Sequence, residues 1–456
     1  MMLKEKAIKD LIKTYKLQHR EDVLVFIKEN PENLGYNELS RVAELVNNSR
    51  ADTAAYYTDP ETLNILKEFL PIIEKSEIRI LEPSVGVGNF IQIIIDKYKH
   101  ASKLTIEVND IDSKSIEITK ALNVYRVVPD NVEIIYSVGD FLVSNVDNGY
   151  DLIVGNPPFI KLNKHNGLQK YATLFSDEIT NNISGFFLQK ATSIADYVTL
   201  ILPKYFLSNP DFRLSRERVK GCAIENIIDF GEKGFKGVLI ETIAMCINTR
   251  KQPSMTRAYS VTRKLSNKLK QALMISEEYP YWLMYRNSYF DSIAKCLFFG
   301  AFKVFRDRQI TNSVLKNSGE VWVLKSRNIN RDGSGITEIE GYNGYICQSD
   351  VTKYIVGKYC DREDVFLCPN MTYYPRVIRK PRNTITNGSV AILENISEHK
   401  IKDEHLQFLS SKEFEKFYAI ARNYSTRSLN IDANSVYFFG LIKSCFELER
   451  ENDDVE

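Results

Sequence analysis

The sequence predicts an α/β protein built on one doubly wound sheet, and three observations carry that expectation. The first is a short apolar run, Asp151-Leu152-Ile153-Val154-Gly155, stopped by Asn156-Pro157-Pro158-Phe159. An apolar run of that length bounded by Gly and Pro reads as a buried parallel strand, and two prolines forbid its continuation. The second is Ile78-Arg79-Ile80-Leu81-Glu82, followed by Pro83-Ser84-Val85-Gly86-Val87-Gly88 and the apolar Ile91, Ile93, Ile94 and Ile95, a strand–turn–helix pattern. The third is an acid at or just after the end of two further apolar runs, Asp110 after Leu104-Thr105-Ile106-Glu107-Val108 and Asp140 after Val132-Glu133-Ile134-Ile135-Tyr136. Open α/β sheets bind ligands at the carboxyl ends of their strands, so all four ends are site candidates by position.

The chain's 456 residues, 44% of them hydrophobic, can bury more than one core, so two or three domains are expected. Lys and Arg total 60 against 59 for Asp and Glu, so any basic surface must come from segregation of charge. The 7 cysteines are odd in number and lack C-x-x-C spacing, which argues for a reducing compartment and against zinc or a disulfide frame. His165 alone lies near the proline turn and reads as a solvated loop residue, and no metal is expected. The start, Met1-Met2-Leu3-Lys4-Glu5-Lys6, has no apolar stretch behind its charges, so a soluble cytoplasmic protein is expected.

Taken in order, residues 3–50 read as helices broken at Asn30-Pro31, with a packing or oligomerisation role expected and a DNA-contacting arm as the alternative. Tyr56-Tyr57-Thr58-Asp59-Pro60 leads into an amphipathic helix, with Thr58 or Asp59 as its cap and Pro60 in its first turn. Such a helix start can hold a carboxylate. In the next turn Gly86 and Gly88 let backbone approach a ligand, but Ile91 stands where the dinucleotide fingerprint wants a third glycine. Glu82 therefore suits an ammonium rather than a pyrophosphate. Asp110 stands where this class of sheet binds ribose hydroxyls, Ile111 can lie against an adenine face, and Asp140 can accept from an adenine amino group. Beyond the proline turn a helix is expected from Phe186 to Ala195, and strands at Val198–Pro203, Ile224–Phe230 and Glu241–Ile247, seven strands in all with an antiparallel end. Phe235, between Gly234 and Lys236-Gly237, is either one face of an aromatic clamp or a loop-packing residue.

The proline turn points to a chemistry. An exocyclic amine on a conjugated ring is a poor nucleophile because its lone pair is delocalised, so it needs acceptors rather than a strong base. The Asn156 amide oxygen and the Pro157 carbonyl can each accept one N–H of such an amine, and Phe159 can stack on its ring. Pro158 contributes rigidity, since it has no N–H and a fixed φ.

The ordered set Tyr57-Thr58-Asp59-Pro60, Leu81-Glu82-Pro83-Ser84-Val85-Gly86-Val87-Gly88, Asp110, Asp140-Phe141, Asn156-Pro157-Pro158-Phe159 and Phe235 resembles the S-adenosylmethionine-dependent adenine-N6 DNA methyltransferases of the gamma (TaqI-like) class, of restriction–modification type. The resemblance covers roughly residues 50–250. It implies a doubly wound Rossmann-like methyltransferase sheet (51–250), preceded by the N-terminal helical segment (1–50) and followed by a C-terminal DNA target-recognition domain (251–456). It further implies that Glu82 binds the ammonium of S-adenosylmethionine, Thr58 its carboxylate, Asp110 the ribose, and Asp140 with Phe141 the adenine. Tyr57, Ser84, Gly86, Gly88 and Ile111 belong to the same cofactor-binding positions. Asn156 and Pro157 would hold the target amino group, with Phe159 and Phe235 sandwiching a flipped-out base. The chain departs from many members in having Val85 and Val87 in the turn and Asp rather than Glu at 110, which leaves Asp112 a rival for the ribose.

From a boundary expected at Thr249-Arg250-Lys251-Gln252-Pro253-Ser254, the texture changes. Three stretches interleave basic with aromatic or amide residues, and supply Arg327, Asn328, Arg331, Arg376, Arg379, Arg382 and Arg427 as candidates for double-stranded DNA. Arg and Asn match guanine and adenine edges. The acidic tail from Glu447 is expected to fray. No clustered acids and Lys suggest a nuclease, so any cutting is expected from a separate cognate restriction endonuclease. Other readings of the same turn are an N4-cytosine DNA methyltransferase, a protein-glutamine methyltransferase, or a non-catalytic DNA-binding subunit that kept the fold.

Overall fold

The computed structural model describes residues 3–46, 60–145, 148–165, 167–232, 240–370, 374–425 and 430–444. The chain divides into two compact units, Met1–Ala272 and Leu273–Glu456.

The first unit opens with helices α1 (Glu5–Thr14), α2 (Arg20–Glu29) and α3 (Tyr36–Val46). It continues α4 (Pro60–Phe69), β1 (Glu77–Glu82), α5 (Asn89–Tyr98), β2 (Lys103–Asp110), α6 (Ser113–Asn123), β3 (Val132–Val138) and β4 (Tyr150–Gly155). Then come α7 (Leu168–Phe175), α8 (Ile183–Ile194), β5 (Ala195–Pro203), α9 (Arg213–Val219), β6 (Ala223–Gly231), β7 (Thr242–Asn248), β8 (Met255–Ser260) and β9 (Leu265–Lys270).

These strands form one nine-stranded sheet in the order β3-β2-β1-β4-β5-β7-β6-β8-β9. The first five are parallel, and β7 runs antiparallel between β5 and β6. The fold is thus the α/β, doubly wound, Rossmann-like one. The order reverses between β1 and β4, so the carboxyl ends of those two strands flank the crevice where such sheets bind ligands. The run that ends in the proline turn is buried at every residue, as a central strand requires. On one face Ile78 and Ile80 of β1 join Leu66 of α4 and Ile94 of α5 in the main core.

The sheet has two strands more than the seven expected, and the compact unit runs to Ala272 rather than ending at residue 250. The reason is chemical: β8 does alternate, but the side chains it buries are the small Thr256, Ala258 and Ser260, which give no hydrophobic signal. Thr256 secures the strand through its hydroxyl, which donates to the Ile224 carbonyl at 2.7 Å. The helix expected from Phe186 starts earlier, at Ile183, because Asn182 caps it.

The N-terminal helices share a core with the sheet unit. Ile27, Leu39 and Val42 pack with Val87 of the glycine turn and with Ile118 and Leu122 of α6.

The second unit holds a four-stranded sheet (order Phe302–Arg306, Val390–Asn395, Val365–Pro369, Ile378–Arg379) and a three-stranded one (Gly344–Ile346, Val321–Leu324, Thr384–Thr386). Their shared core includes Val321, Val323, Leu367 and Ile392. No helix among the described residues is long and apolar enough to cross a membrane.

Candidate active site

At the end of β1, Glu82 is only 1% exposed, and its Oε2 has no hydrogen-bond partner among the described residues. Burial pushes its carboxyl well above the ordinary 4.5, the nearby Arg126 pulls it back in part, and Asp110 pushes it up further. An acid so placed gains most from a bound cation, because an unpaired charge in a dry site is costly. The turn after it needs its glycines: Gly86 and Gly88 have φ of +58° and +81°. A Cβ on Gly88 would come within 2.8 Å of Thr119 Cγ2, whereas one on Gly86 would meet nothing within 4 Å. Gly86 lines the cavity described below.

The end of β2 separates the two rival acids. Asp110 accepts the Gly86 N–H at 2.9 Å and the Asp112 N–H at 3.0 Å. Burial raises its pKa, and those two N–H groups oppose the shift. Asp112 caps α6 by accepting from the Lys114 N–H, pairs with the Arg20 guanidinium of α2 and accepts from Ser115 Oγ. For Asp112, burial pushes upward, but Arg20, the Lys114 N–H and Ser115 together outweigh it, so its pKa is lowered. Both acids line the same cavity, but Asp112 is engaged by Arg20, Ser115 and the α6 cap, whereas Asp110 accepts two backbone N–H groups. Asn109 shapes the same corner by donating to the Gly139 carbonyl at 2.9 Å.

After β3, Asp140 Oδ1 accepts the Leu142 N–H at 3.0 Å, while Oδ2 accepts from Lys170 Nζ and Tyr171 Oη, both at 3.0 Å. The Phe141 ring is buried against Phe187, with centroids 5.1 Å apart. Lys190 crosses over it at 4.9 Å and donates to the carbonyls of Leu142 and Ser144.

At the end of β4, Ser84 Oγ donates to the Asn156 carbonyl at 3.3 Å. No described residue donates to the Pro157 carbonyl. A Cβ on Gly155 would sit 3.4 Å from the Pro83 ring at Cδ and 3.7 Å from Glu82 Cγ, so the side chains at the end of β1 pack directly on the backbone of β4. Phe159 is 5% exposed and belongs to the main core, so core packing accounts for most of its surface.

Ser84, Gly86, Asp110, Ile111, Asp140, Phe141, Asn156 and Pro158 line a single cavity of about 230 Å³. Glu82 and Gly88 are outside its lining. Ile111 is 69% exposed at its rim. A larger cavity of about 770 Å³ in the same unit, lined among others by Phe69, Tyr197 and Arg257, gathers none of these strand-end acids. Tyr57, Thr58, Phe235 and Arg427 lie outside the described residues.

Sequence reasoning missed the second layer, contributed largely by the N-terminal helices. Tyr36 Oη donates to the Val87 carbonyl at 3.4 Å, and Ser40 Oγ to Asn89 Oδ1 at 2.9 Å. Asn89 Nδ2 donates to Glu44 at 2.7 Å, and Arg126 lies 4.1 Å over the Tyr36 ring. Of the segment expected to pack, residues 3–46 include side chains that pack on the glycine turn itself. No local signal marks these pairs, which join residues 45 or more apart in sequence.

In the second unit the basic candidates divide. The Arg327 and Lys325 cations both lie over the Tyr342 ring, at 4.8 and 4.1 Å, and that of Arg331 lies over Tyr374 at 4.2 Å. Arg327, Arg331 and Arg382 are exposed. Asn328 is a correction: it is fully buried, accepts the Lys325 N–H at 3.0 Å and donates to the Thr337 carbonyl and Asn343, so its amide is spent inside its own loop. Arg376 is also spent, on the carbonyls of Ser326 and Ile329 at 3.2 and 3.1 Å. Arg379 pairs with Asp403 at 3.0 Å.

Residues 62–235 match the family model described as Eco57I restriction-modification methylase, which is less than half of the chain. The Type II methyltransferase M.CvrRI of Paramecium bursaria Chlorella virus XZ-6E is 30% identical over 110 residues, covering 24% of this chain and 25% of that protein. The match thus spans about a quarter of that relative's length. Among solved structures, the type IIG restriction endonuclease BpuSI is similar at TM-score 0.49 and 14% identity over 89% of this chain and 61% of that one. The type IIL restriction-modification enzyme MmeI in complex with DNA is similar at TM-score 0.45 and 12% identity, over 95% and 67%. The type I restriction-modification methyltransferase subunit from Streptococcus thermophilus is similar at TM-score 0.39 and 13% identity, over 52% and 54%. Likenesses this distant concern the fold and carry no functional weight.

Proposed function

We propose, from the premise that residues 62–235 match a restriction–modification methylase model, that this protein transfers a methyl group from S-adenosylmethionine to the 6-amino group of a flipped-out adenine in double-stranded DNA. The supporting observation is the convergence of Asp110, Asp140 and Asn156, from three strand ends, on one cavity beside the buried Glu82. The residues fit the cofactor: Glu82 has an unpartnered oxygen for an ammonium, Asp110 stands where a ribose would sit, and Asp140 with Phe141 stands where an adenine would. Bound S-adenosylmethionine would supply the electrophilic methyl on its sulfonium. The protein's part is to present the nucleophile.

Asn156 and Pro157 each accept one N–H of the target amine, drawing its nitrogen towards a pyramidal shape with the lone pair aimed at the methyl. Positioning of this kind supplies most of the acceleration. Flipping a base costs a few kcal/mol, and aromatic stacking of ~1–3 kcal/mol per base offsets it. Phe159 is assigned that role, together with Phe235. The C-terminal unit reads the DNA sequence, with Arg327, Arg331 and Arg382 as its contacts and Arg376 and Asn328 bracing the loop. Any cutting falls to a separate cognate endonuclease.

The test is incubation with unmodified DNA and S-adenosylmethionine, then digestion to nucleosides and mass spectrometry, with Asn156→Ala alongside. N6-methyladenine from the wild type and a loss of about 10²–10³-fold in the variant, the size seen for other transition-state contacts, are expected. N4-methylcytosine would overturn the substrate, and no methylated base would overturn the reading.

A further inference from the structure

We propose that Asn182 is a positioning residue for the catalytic turn, fixing its downstream end; the inference rests on the reading of Asn156–Phe159 as the amine-accepting turn. Pro157 and Pro158 lack N–H groups, so the turn cannot brace itself through its own backbone. It is instead pinned from outside at both ends. Ser84 Oγ holds the Asn156 carbonyl at 3.3 Å, and Asn182 Nδ2 donates to the Phe159 carbonyl at 3.1 Å.

Several contacts make Asn182 a rigid anchor. It is 4% exposed, and its Oδ1 caps α8 by accepting from the Ser184 N–H at 3.2 Å and Ser184 Oγ at 2.7 Å. The cap orients the amide: with its oxygen committed to the helix, its nitrogen must face Phe159. The backbone alongside is paired as well, Ile183 N–H to the Ile160 carbonyl at 3.0 Å and Leu162 N–H to the Asn181 carbonyl at 2.6 Å. The helix is closely packed at its first turn, where a Cβ on Gly185 would come within 2.8 Å of both Ser215 Oγ and Thr180 Cγ2. Asn182 Nδ2 also lies 3.5 Å from Tyr205 Oη, in the turn that follows β5. One amide thus registers the catalytic turn against α8 and the exit of β5.

The experiment compares Asn182→Asp and Asn182→Ser with wild type. Both replacements keep a cap acceptor for α8. The carboxylate opposes the Phe159 carbonyl instead of donating to it, and the serine hydroxyl is too short to reach it. Each variant is expected to lose about 100-fold in kcat, as a displacement of about 1 Å in a positioned group does, with cofactor Kd little changed; Tm falls in both, more in Asn182→Asp, which buries an unpaired carboxylate. In DNA carrying 2-aminopurine at the target position, the fluorescence of the held base is expected to change. The activity of Asn182→Asp relative to wild type should recover towards low pH, where the protonated carboxyl regains a donor. Wild-type kcat in both variants would overturn the inference while leaving the methyltransferase reading intact. A loss of cofactor affinity as large as the loss of kcat would also overturn it, in favour of a general structural role. No methylated product from the wild type would overturn both.

Discussion

Ser84 Oγ donates to the backbone carbonyl of Asn156 at 3.3 Å, joining the glycine turn after β1 to the proline turn after β4 across the point where the strand order reverses. The turn proposed to hold the methyl donor and the turn proposed to hold the acceptor are therefore registered by a direct bond. Ser84→Ala removes it. One hydrogen bond is worth about 0.5–1.5 kcal/mol net, so kcat is expected to fall about tenfold or less with cofactor affinity retained. Steady-state kinetics with isothermal titration calorimetry checks it.

Asp110 and Asp112 are expected to separate cleanly. Asp110→Ala should weaken S-adenosylmethionine binding about 10–100-fold, the worth of hydrogen bonds to a charged group. Asp112→Ala removes the cap of α6 and the partner of Arg20, so it should cost about 0.5–2 kcal/mol of stability with little change in Kd. Equal losses of affinity in both variants would reject this division of roles.

The raised Glu82 pKa gives a pH prediction with a definite sign. Between its ordinary 4.5 and the raised value, the folded protein binds this proton and the unfolded chain does not. Stability of the cofactor-free protein with respect to this group is thus greatest at the acid end and falls as pH rises through the raised value. Glu82→Gln should remove that slope from a Tm–pH series. A ligand ammonium favours the carboxylate, so cofactor binding should release protons. Calorimetry in two buffers of different ionisation enthalpy would detect them, and identical heats after dilution correction would contradict the assignment.

The two turn glycines should fail differently. Gly88→Ala combines a positive φ with a Cβ 2.8 Å from Thr119 Cγ2, so a destabilisation of at least about 1–3 kcal/mol is expected. Gly86→Ala meets no atom within 4 Å, so it should keep more stability and lose cofactor affinity instead. Denaturant melts and Kd values distinguish the two.

In the C-terminal unit, Arg327→Ala and Arg331→Ala should each lower the slope of log K against log salt by about 1 if they hold phosphates, or relax specificity at one base pair if they read an edge. Asn328→Ala should act through folding, since it strands buried groups at about 1–3 kcal/mol. DNA-binding isotherms over a salt series, with Tm measured in parallel, test both.

What the sequence determined by itself was whatever a few consecutive residues can encode. Two prolines stop a strand wherever they fall, glycines permit a positive φ, and an apolar run of five or six residues is buried on both faces; these rules placed Glu82, Gly86, Asp110, Asp140 and Asn156 at successive strand ends before any packing was known. Tertiary structure alone decided which polar groups found partners. Asp112 pairs with Arg20, 92 positions away, and Asn182 reaches Phe159 across 23. Asn328, read as a base-contacting residue, turned inward, and β8 joined the sheet with small residues facing the core. A side chain's hydrogen-bonding capacity is written in its chemistry, but whether solvent, its own loop or a distant helix satisfies it depends on which surfaces burial brings together, and that is a property of the whole chain.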